Sequence, residues 1–200
     1  MDGIIIRHSW DTRGVKDLMR KLTPPRLNQA LSVAVNTSAE QVERKAESLV
    51  TKALSLPSKR VKKGIWVRPK SNPGTLTAIV RGSGSMIPLK VFSAKEKGGG
   101  VTAKIWGATQ SYPGGFIYGG AKGAHNKELG MGNHVFKRTG KTWAGKGKRG
   151  PIERIPGASI ADAMSQAAIM EANETYGVER LEANVMRQLT RYANVGRRKG

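Results

Sequence analysis

The chain has 200 residues, of which 35 are Lys or Arg and 14 are Asp or Glu, so its formal net charge is +21. This length allows one domain with a proper core and is barely enough for two. The charge favours polyanionic partners. Because cysteine is absent, disulfides and thiolate chemistry are excluded. No apolar run approaches the roughly 20 residues that span a bilayer, so we expect no membrane partner.

The N-terminal part, residues 1–56, is predicted to be mainly helical. A short strand at 3–10 and a helix at 13–22 precede the break at Thr23-Pro24-Pro25. A long helix over 26–54 follows, because apolar or small residues recur there at spacings of three and four. These positions are Leu27, Ala30, Leu31, Ala34, Val35, Val42, Ala46, Leu49, Val50 and Ala53.

The middle part, residues 57–156, is predicted to be rich in β-strands and to carry basic loops. One helical turn leads into the first strand. Short alternating or apolar runs predict strands at 65–68, 75–81, 87–92, 101–106, 116–118, 134–138 and 151–155. The strand at 116–118 is expected to be buried. Glycine-rich segments between the strands predict extended loops at 93–100, 119–132 and 139–150.

The C-terminal part, residues 157–200, is predicted to be a helix with a basic tail. Ser159 is the expected N-cap, with Asp162 at the third helical position. Gly177 is expected to kink or interrupt the helix. The whole chain therefore predicts a single α+β domain. In it, a small, mainly antiparallel sheet packs against a long N-terminal helix and a C-terminal helix, with extended glycine-rich loops.

The sequence offers no catalytic or metal-binding constellation. From residue 75 to residue 150 the only acidic residues are Glu96 and Glu128, which is too few for a two-metal nuclease or a paired-carboxylate hydrolase. His125, Glu128 and His134 match no familiar metal-ligand spacing. We therefore expect no enzyme activity, no metal site and no cofactor.

Basic residues fall in two clusters, and no Asp or Glu occurs from residue 48 to residue 95. With Trp66, Trp106 and Trp143 nearby, the clusters could bind nucleic acid through phosphate contacts and stacking. Solvated loops or an acidic neighbouring protein would explain each cluster alone. The candidate contacts with DNA or a neighbouring subunit are Lys59, Arg60, Lys62, Lys63, Arg68, Lys70, Lys137, Arg138, Lys141, Lys146, Lys148 and Arg149. Candidate loop contacts between subunits are Trp143, Tyr112 and Phe116. No motif for sequence-specific readout is present.

Four sequence runs carry a family resemblance that spans about residues 12–195. They are IPLKVF at 87–92, GFI at 115–117, HVFKRTG at 134–140, and PIERIPGAS at 151–159. In this order, after a long N-terminal helix and before a C-terminal one, they resemble the minor tail protein Z family of tailed bacteriophages and prophages. Members of this family are also called tail completion proteins.

The resemblance implies a structural virion protein, made in the host cytoplasm, that completes the tail or joins it to the head. Expected partners are further copies of the chain in a ring, perhaps a hexamer, and tail-terminator, tail-tube or head-connector proteins. The phage DNA end is a further candidate partner. The alternative left open by the residues themselves is a protein that binds nucleic acid without sequence specificity.

Overall fold

The computed structural model describes residues 26–118, 132–139 and 151–197, with side chains to residue 192. The helices are α1 (Arg26–Leu54), α2 (Ser58–Lys62), α3 (Ile160–Met164) and α4 (Ala167–Arg197). The strands are β1 (Ile65–Val67), β2 (Val80–Gly82), β3 (Lys95–Lys97), β4 (Gly100–Ile105), β5 (Ala108–Pro113), β6 (Gly115–Tyr118), β7 (His134–Arg138) and β8 (Ile152–Arg154). The predicted α+β class is confirmed. The elements expected at 3–22, and most of the loops expected at 119–132 and 139–150, lie outside the described residues.

The two long helices form an antiparallel pair. Near one end, Ala30 and Ala34 of α1 share a small core with Val185 and Leu189 of α4. Farther along, the Asn184 side-chain amide donates to Ser38 Oγ and to Gln41 Oε1, each at 3.0 Å. The predicted long helix is confirmed over its full length. Small residues on its buried face let α4 approach closely.

The predicted kink at Gly177 is wrong, because α4 continues through this residue. Gly177 is buried and lies seven positions before Asn184, on the face that meets α1. A helical glycine costs about 1 kcal/mol relative to alanine, and the packing against α1 offsets this. The helical break instead separates α3 from α4 at Ser165 and Gln166. The N-cap predicted at Ser159 is confirmed, and it forms a capping box, since the side chains of Ser159 and Asp162 each accept the other residue's backbone N–H.

The larger core lies between the C-terminal half of α1 and the strands. Its largest fully buried side chains include Phe92, Leu54 and Leu89. The strands pair antiparallel in three small sheets, β1–β2, β3–β4–β5 and β6–β7–β8. The β-structure predicted as one small sheet is therefore divided among three.

The strand predicted at 75–81 is largely wrong, because only Val80 onward pairs with β1. The Asn72 side-chain oxygen accepts bonds from the backbone N–H groups of Gly74 and Thr75. This local turn competes with strand formation. Leu76 then adopts a left-handed φ of 48°, which a strand cannot accommodate.

The strand predicted at 87–92 is also wrong, because Leu89–Phe92 forms a short 3₁₀ helix. Pro88 has no N–H and a φ of −57°, so it starts a tight turn more readily than a ladder. Leu89 and Phe92, three positions apart, both point into the core. Only Ile87 keeps strand-like bonds: its N–H donates to the Ala158 carbonyl at 3.2 Å, and its carbonyl accepts from the Gly157 N–H at 2.9 Å.

Two hairpins occupy residues 95–113, where the sequence predicted a loop at 93–100 and a single strand at 101–106. Residues 95–97 form β3, the left-handed Gly98 and Gly99 make the turn, and Gly100 begins β4. Trp106 and Gly107, with φ of 58° and 73°, connect β4 to β5, which the sequence did not predict. Positive φ at both central residues is typical of a tight hairpin turn, but a Trp-Gly pair is a weak sequence signal for it.

Candidate nucleic-acid interface

Helix α2 presents the first predicted basic cluster to solvent. Val61 is fully buried and anchors this short helix to the core. Lys59 and Lys63 lie four positions apart on the side opposite Val61, while Arg60 and Lys62 flank it. All four cations are exposed. The structure therefore brings these four predicted contact residues together on one projecting turn.

The hairpin β1–β2 continues this basic surface. Ile65 is buried, while Trp66 is 39% exposed and lies directly opposite Arg81 in the strand pair. The Arg68 N–H donates to the Ile79 carbonyl at 2.8 Å, which extends the ladder by one residue. Side chains alternate along a strand, so Arg68 emerges on the same face as Trp66. The outward face of the hairpin thus carries an indole between two guanidinium groups.

Two glycines, Gly64 just before β1 and Gly82 in β2, lie against helix α3. A Cβ at Gly64 would lie 2.2 Å from Ile160 Cδ1, and one at Gly82 would lie 2.6 Å from Met164 Sδ. Helix α3 therefore packs directly on the backbone of the hairpin. Gly82 lies opposite the buried Ile65, so α3 covers this face of the strand pair. Trp66 and Arg81 pair on the other face and are exposed.

Glu40, Glu43 and Glu47 of α1 form an acidic ridge beside the basic surface. Lys70 Nζ donates to Glu40 Oε1 at 2.8 Å, and this hydrogen bond raises the pKa of Lys70. Both side chains are largely exposed, so the pair contributes little stability. It does engage Lys70 within the chain. Lys70 is therefore a weaker candidate for partner contacts than its neighbours.

Glu43 sits in the same ridge, and we expect Glu43→Gln to stabilise the protein at pH 7. Burial raises the pKa of this carboxyl first, and the neighbouring Glu47 and Glu40 charges raise it further. A raised folded-state pKa means that the folded chain binds more protons than the unfolded chain, so stability falls as pH rises through that pKa. The gain should be within about 0.5 kcal/mol and should shrink toward acidic pH. Urea unfolding at pH 7 and pH 4 measures it, and an equal gain at both pH values would contradict the explanation.

The second predicted cluster is only partly described. Lys137 Nζ lies 3.8 Å from Glu153 Oε2, and the Arg138 guanidinium lies 5.3 Å from the centre of the Phe116 ring. Lys141, Lys146, Lys148, Arg149 and Trp143 lie outside the described residues. The structure therefore places only the β7 part of this cluster.

The aromatic residues proposed as subunit contacts make contacts within the chain. Phe116 packs edge-on to Tyr118 and beside Phe136, with ring centres 6.2 and 6.3 Å apart. It is half-buried, less than the sequence predicted. Tyr112 packs against the larger core and its hydroxyl lies 3.0 Å from Gln110 Oε1, while burial raises its pKa. Their role in subunit contacts stays a prediction.

His134 has cationic neighbours. Burial lowers the pKa of His134 first, and the charges of Lys90 and Arg154 lower it further.

Within residues 26–118, 132–139 and 151–197, no group of three or more His, Cys, Asp or Glu side chains could hold a metal ion. Over the same ranges, no helix is long and apolar enough to cross a membrane.

Comparisons were made with protein-family models, with curated proteins and with solved structures. No family model matches the chain. No curated protein and no solved structure matches it either. The interpretation of the surface therefore depends on its own chemistry.

Two residues of the candidate interface were missed from the sequence. Arg81 was not predicted as a contact, and Trp66 was noted only as a neighbour of the basic cluster. Their shared signal is a polar or aromatic residue between two inward-facing positions, in Ile65-Trp66-Val67 and Val80-Arg81-Gly82. The predicted strand began at residue 75, whereas β2 begins at Val80. The register that pairs Trp66 with Arg81 was therefore not evident from the sequence.

Proposed function

We propose that the chain is a structural component of a tailed-phage virion. In this proposal it acts as a tail completion or head–tail joining protein at the head-proximal end of the tail. It works there as an oligomeric ring and catalyses no reaction. The resemblance to the minor tail protein Z family motivates the proposal.

The observation that carries the proposal is the convergence of the four sequence runs behind that resemblance. In β6 and β7, Phe116 lies opposite Phe136 and Ile117 opposite Val135. The Ile155 N–H donates to the Val135 carbonyl at 2.9 Å, which brings the fourth run against the third. Runs that lie 10 to 22 residues apart in the sequence thus form one packed unit, as a shared family framework would require.

The first run joins the same unit through a close backbone contact. Pro88 bridges to Pro156, and Gly157 packs directly beneath Phe92 and the Ile87 carbonyl. A side chain at position 157 would collide with both, so this run and the fourth depend on each other. The residues of the resemblance therefore constrain one another physically, and this supports reading them as one pattern.

The proposed location requires partners, and the α1–α4 pair offers surface for them. Val33 and Met170 are exposed on this pair, at 41% and 36%, and contacts between copies in a ring would bury such side chains. The proposed partners are copies of the chain and the tail-terminator, tail-tube or head-connector proteins of the virion. The phage DNA end is a further candidate. The proposed localisation is the virion, after synthesis in the host cytoplasm.

Particles assembled without the protein test this function. The gene is deleted from the phage or prophage that carries it, and lysates are examined by negative-stain electron microscopy and plaque assay. We expect heads and tails that fail to form infectious joined particles, with rescue by the gene in trans. Normal, joined and infectious particles from the deletion would refute the proposal.

A further inference from the structure

We infer that the outward face of β1–β2, together with α2, binds a single-stranded polynucleotide. A base stacks on the Trp66 indole, and backbone phosphates contact Arg68, Arg81 and the exposed cations of α2. This inference is independent of the proposed virion role, because it concerns a binding property of the isolated protein.

The first observation is the setting of Trp66. A single exposed aromatic is ordinary on a protein surface, but this indole faces Arg81 across the strand pair and has Arg68 two positions along. Among the described residues, the stacked or edge-on aromatic pairs involve Phe116, Tyr118 and Phe136. Among the same described residues, the aromatic rings with a cation over their face are those of Tyr176 and Phe116. The Trp66 ring is in neither set, so its face is available to a ligand.

The second observation is that the surrounding cations are not neutralised. In the described part of the chain, the ion pairs are Lys70 with Glu40 and Lys137 with Glu153. Lys59, Arg60, Lys63, Arg68 and Arg81 form no such pair there. Lys62 lies close enough to the acids of α1 to lower the pKa of Glu43. On α3, which packs on the hairpin, the Asp162 carboxylate accepts the Ser159 backbone N–H at 3.1 Å. The free cations are therefore those on the side of α2 away from Glu43 and on the hairpin.

The chemistry favours a single strand over other polyanions. Unpaired bases stack on exposed aromatic rings while the phosphates follow a basic surface. The bases of a duplex are already stacked inside the helix, so a duplex would use the cations and leave the indole unused. An acidic protein would also gain from the cations but has no requirement for a flat indole between guanidinium groups.

The binding test uses the purified full-length chain and a fluorescently labelled oligo-dT strand, followed by anisotropy over a range of salt concentrations. We expect Trp66→Ala to weaken binding about 5- to 150-fold, the usual effect of losing one stacked base. Trp66→Tyr should retain most of the affinity, since it keeps a stacking ring. In the Arg68→Ala/Arg81→Ala variant, the slope of log affinity against log salt should fall by about 0.7 for each lost phosphate contact.

Matched controls separate this surface from general charge and hydrophobicity. Met186→Ala removes a side chain that is equally exposed, at 39%, and Arg187→Ala/Arg191→Ala removes two exposed cations from α4. Both should bind the strand within about twofold of the unmodified chain, because they lie off the proposed surface. Circular dichroism and thermal unfolding verify that each variant is folded.

Two outcomes would overturn the inference. One is a folded Trp66→Ala variant, and a folded Trp66→Tyr variant, that both bind oligo-dT as tightly as the unmodified chain. The other is equal binding to duplex DNA or to poly-glutamate at the same charge concentration, with no effect of Trp66→Ala. This second result would assign the surface to phosphate or carboxylate charge alone.

Discussion

Phe92→Ala should destabilise the protein by about 3–5 kcal/mol. The ring of Phe92 is 2% exposed and is among the largest fully buried side chains of the larger core. Removing it leaves a cavity that the 3₁₀ turn cannot close, because Pro88 and Leu89 hold that turn against the sheet. For a chain of this size the melting temperature should fall by roughly 6–20 °C. Urea and thermal unfolding followed by circular dichroism give both values.

Met86→Ala provides the control for this substitution. Met86 lies six positions earlier and is 51% exposed, so its truncation should change stability by no more than about 0.5 kcal/mol. A loss below about 1 kcal/mol for Phe92→Ala, with the control unchanged, would mean that the ring does not fill the core as described.

Gly157→Ala should have the second-largest effect, a loss of about 1–3 kcal/mol. The added Cβ would lie 2.4 Å from Phe92 Cε2 and 2.6 Å from the Ile87 carbonyl oxygen. The ring can shift only by disturbing the core, and the carbonyl is backbone that accepts the Gly157 N–H at 2.9 Å. Both neighbours therefore resist displacement by the added methyl group. Chemical unfolding of the purified variant measures the loss.

A second glycine and a double substitution make this test specific. Gly84→Ala should be nearly neutral, because a Cβ there meets nothing within 4 Å. Phe92→Leu removes the crowding ring atoms, so Phe92→Leu/Gly157→Ala should lose less stability than the sum of its single changes, by about 0.5–3 kcal/mol. Strict additivity would show that Gly157 and Phe92 do not share this contact.

The long helical elements were predictable from sequence because their periodicity extends over many turns. Residues 26–54 carry about eight turns of spaced apolar and small residues, and the tertiary packing agrees with this pattern. Ser159 and Asp162 predicted the start of α3 because a capping box is a local interaction. Strands whose side chains alternate between buried and exposed positions, such as Val101 to Ile105, were also predicted, because this alternation can be read from neighbouring residues.

The errors lie where a tertiary contact or a turn overrides a local pattern. The apolar run at 87–92 resembles a strand, but Pro88 and the burial of Leu89 with Phe92 favour a 3₁₀ turn. Gly177 suggests a break, but α1 supports a continuous helix. Strand β5 has few apolar residues and is exposed along most of its length, so its sequence gives little sign of the pairing with β4.

The candidate interface was predictable from sequence only where its residues are adjacent along the chain. The cations of α2 are adjacent in sequence, so composition alone located Lys59, Arg60 and their neighbours. Arg81 lies fifteen positions after Trp66, and only the register of β1 with β2 brings them face to face. Such pairing depends on the turn between the strands, which the Asn72 side chain shapes.

The position of the protein within the virion tests the proposed function most directly. A gold-labelled tag on the chain, in particles that remain infectious, would be located by electron microscopy. We expect label at the junction of head and tail, at a constant place in joined particles. Label absent from purified particles, or distributed along the tail tube, would contradict a tail completion role.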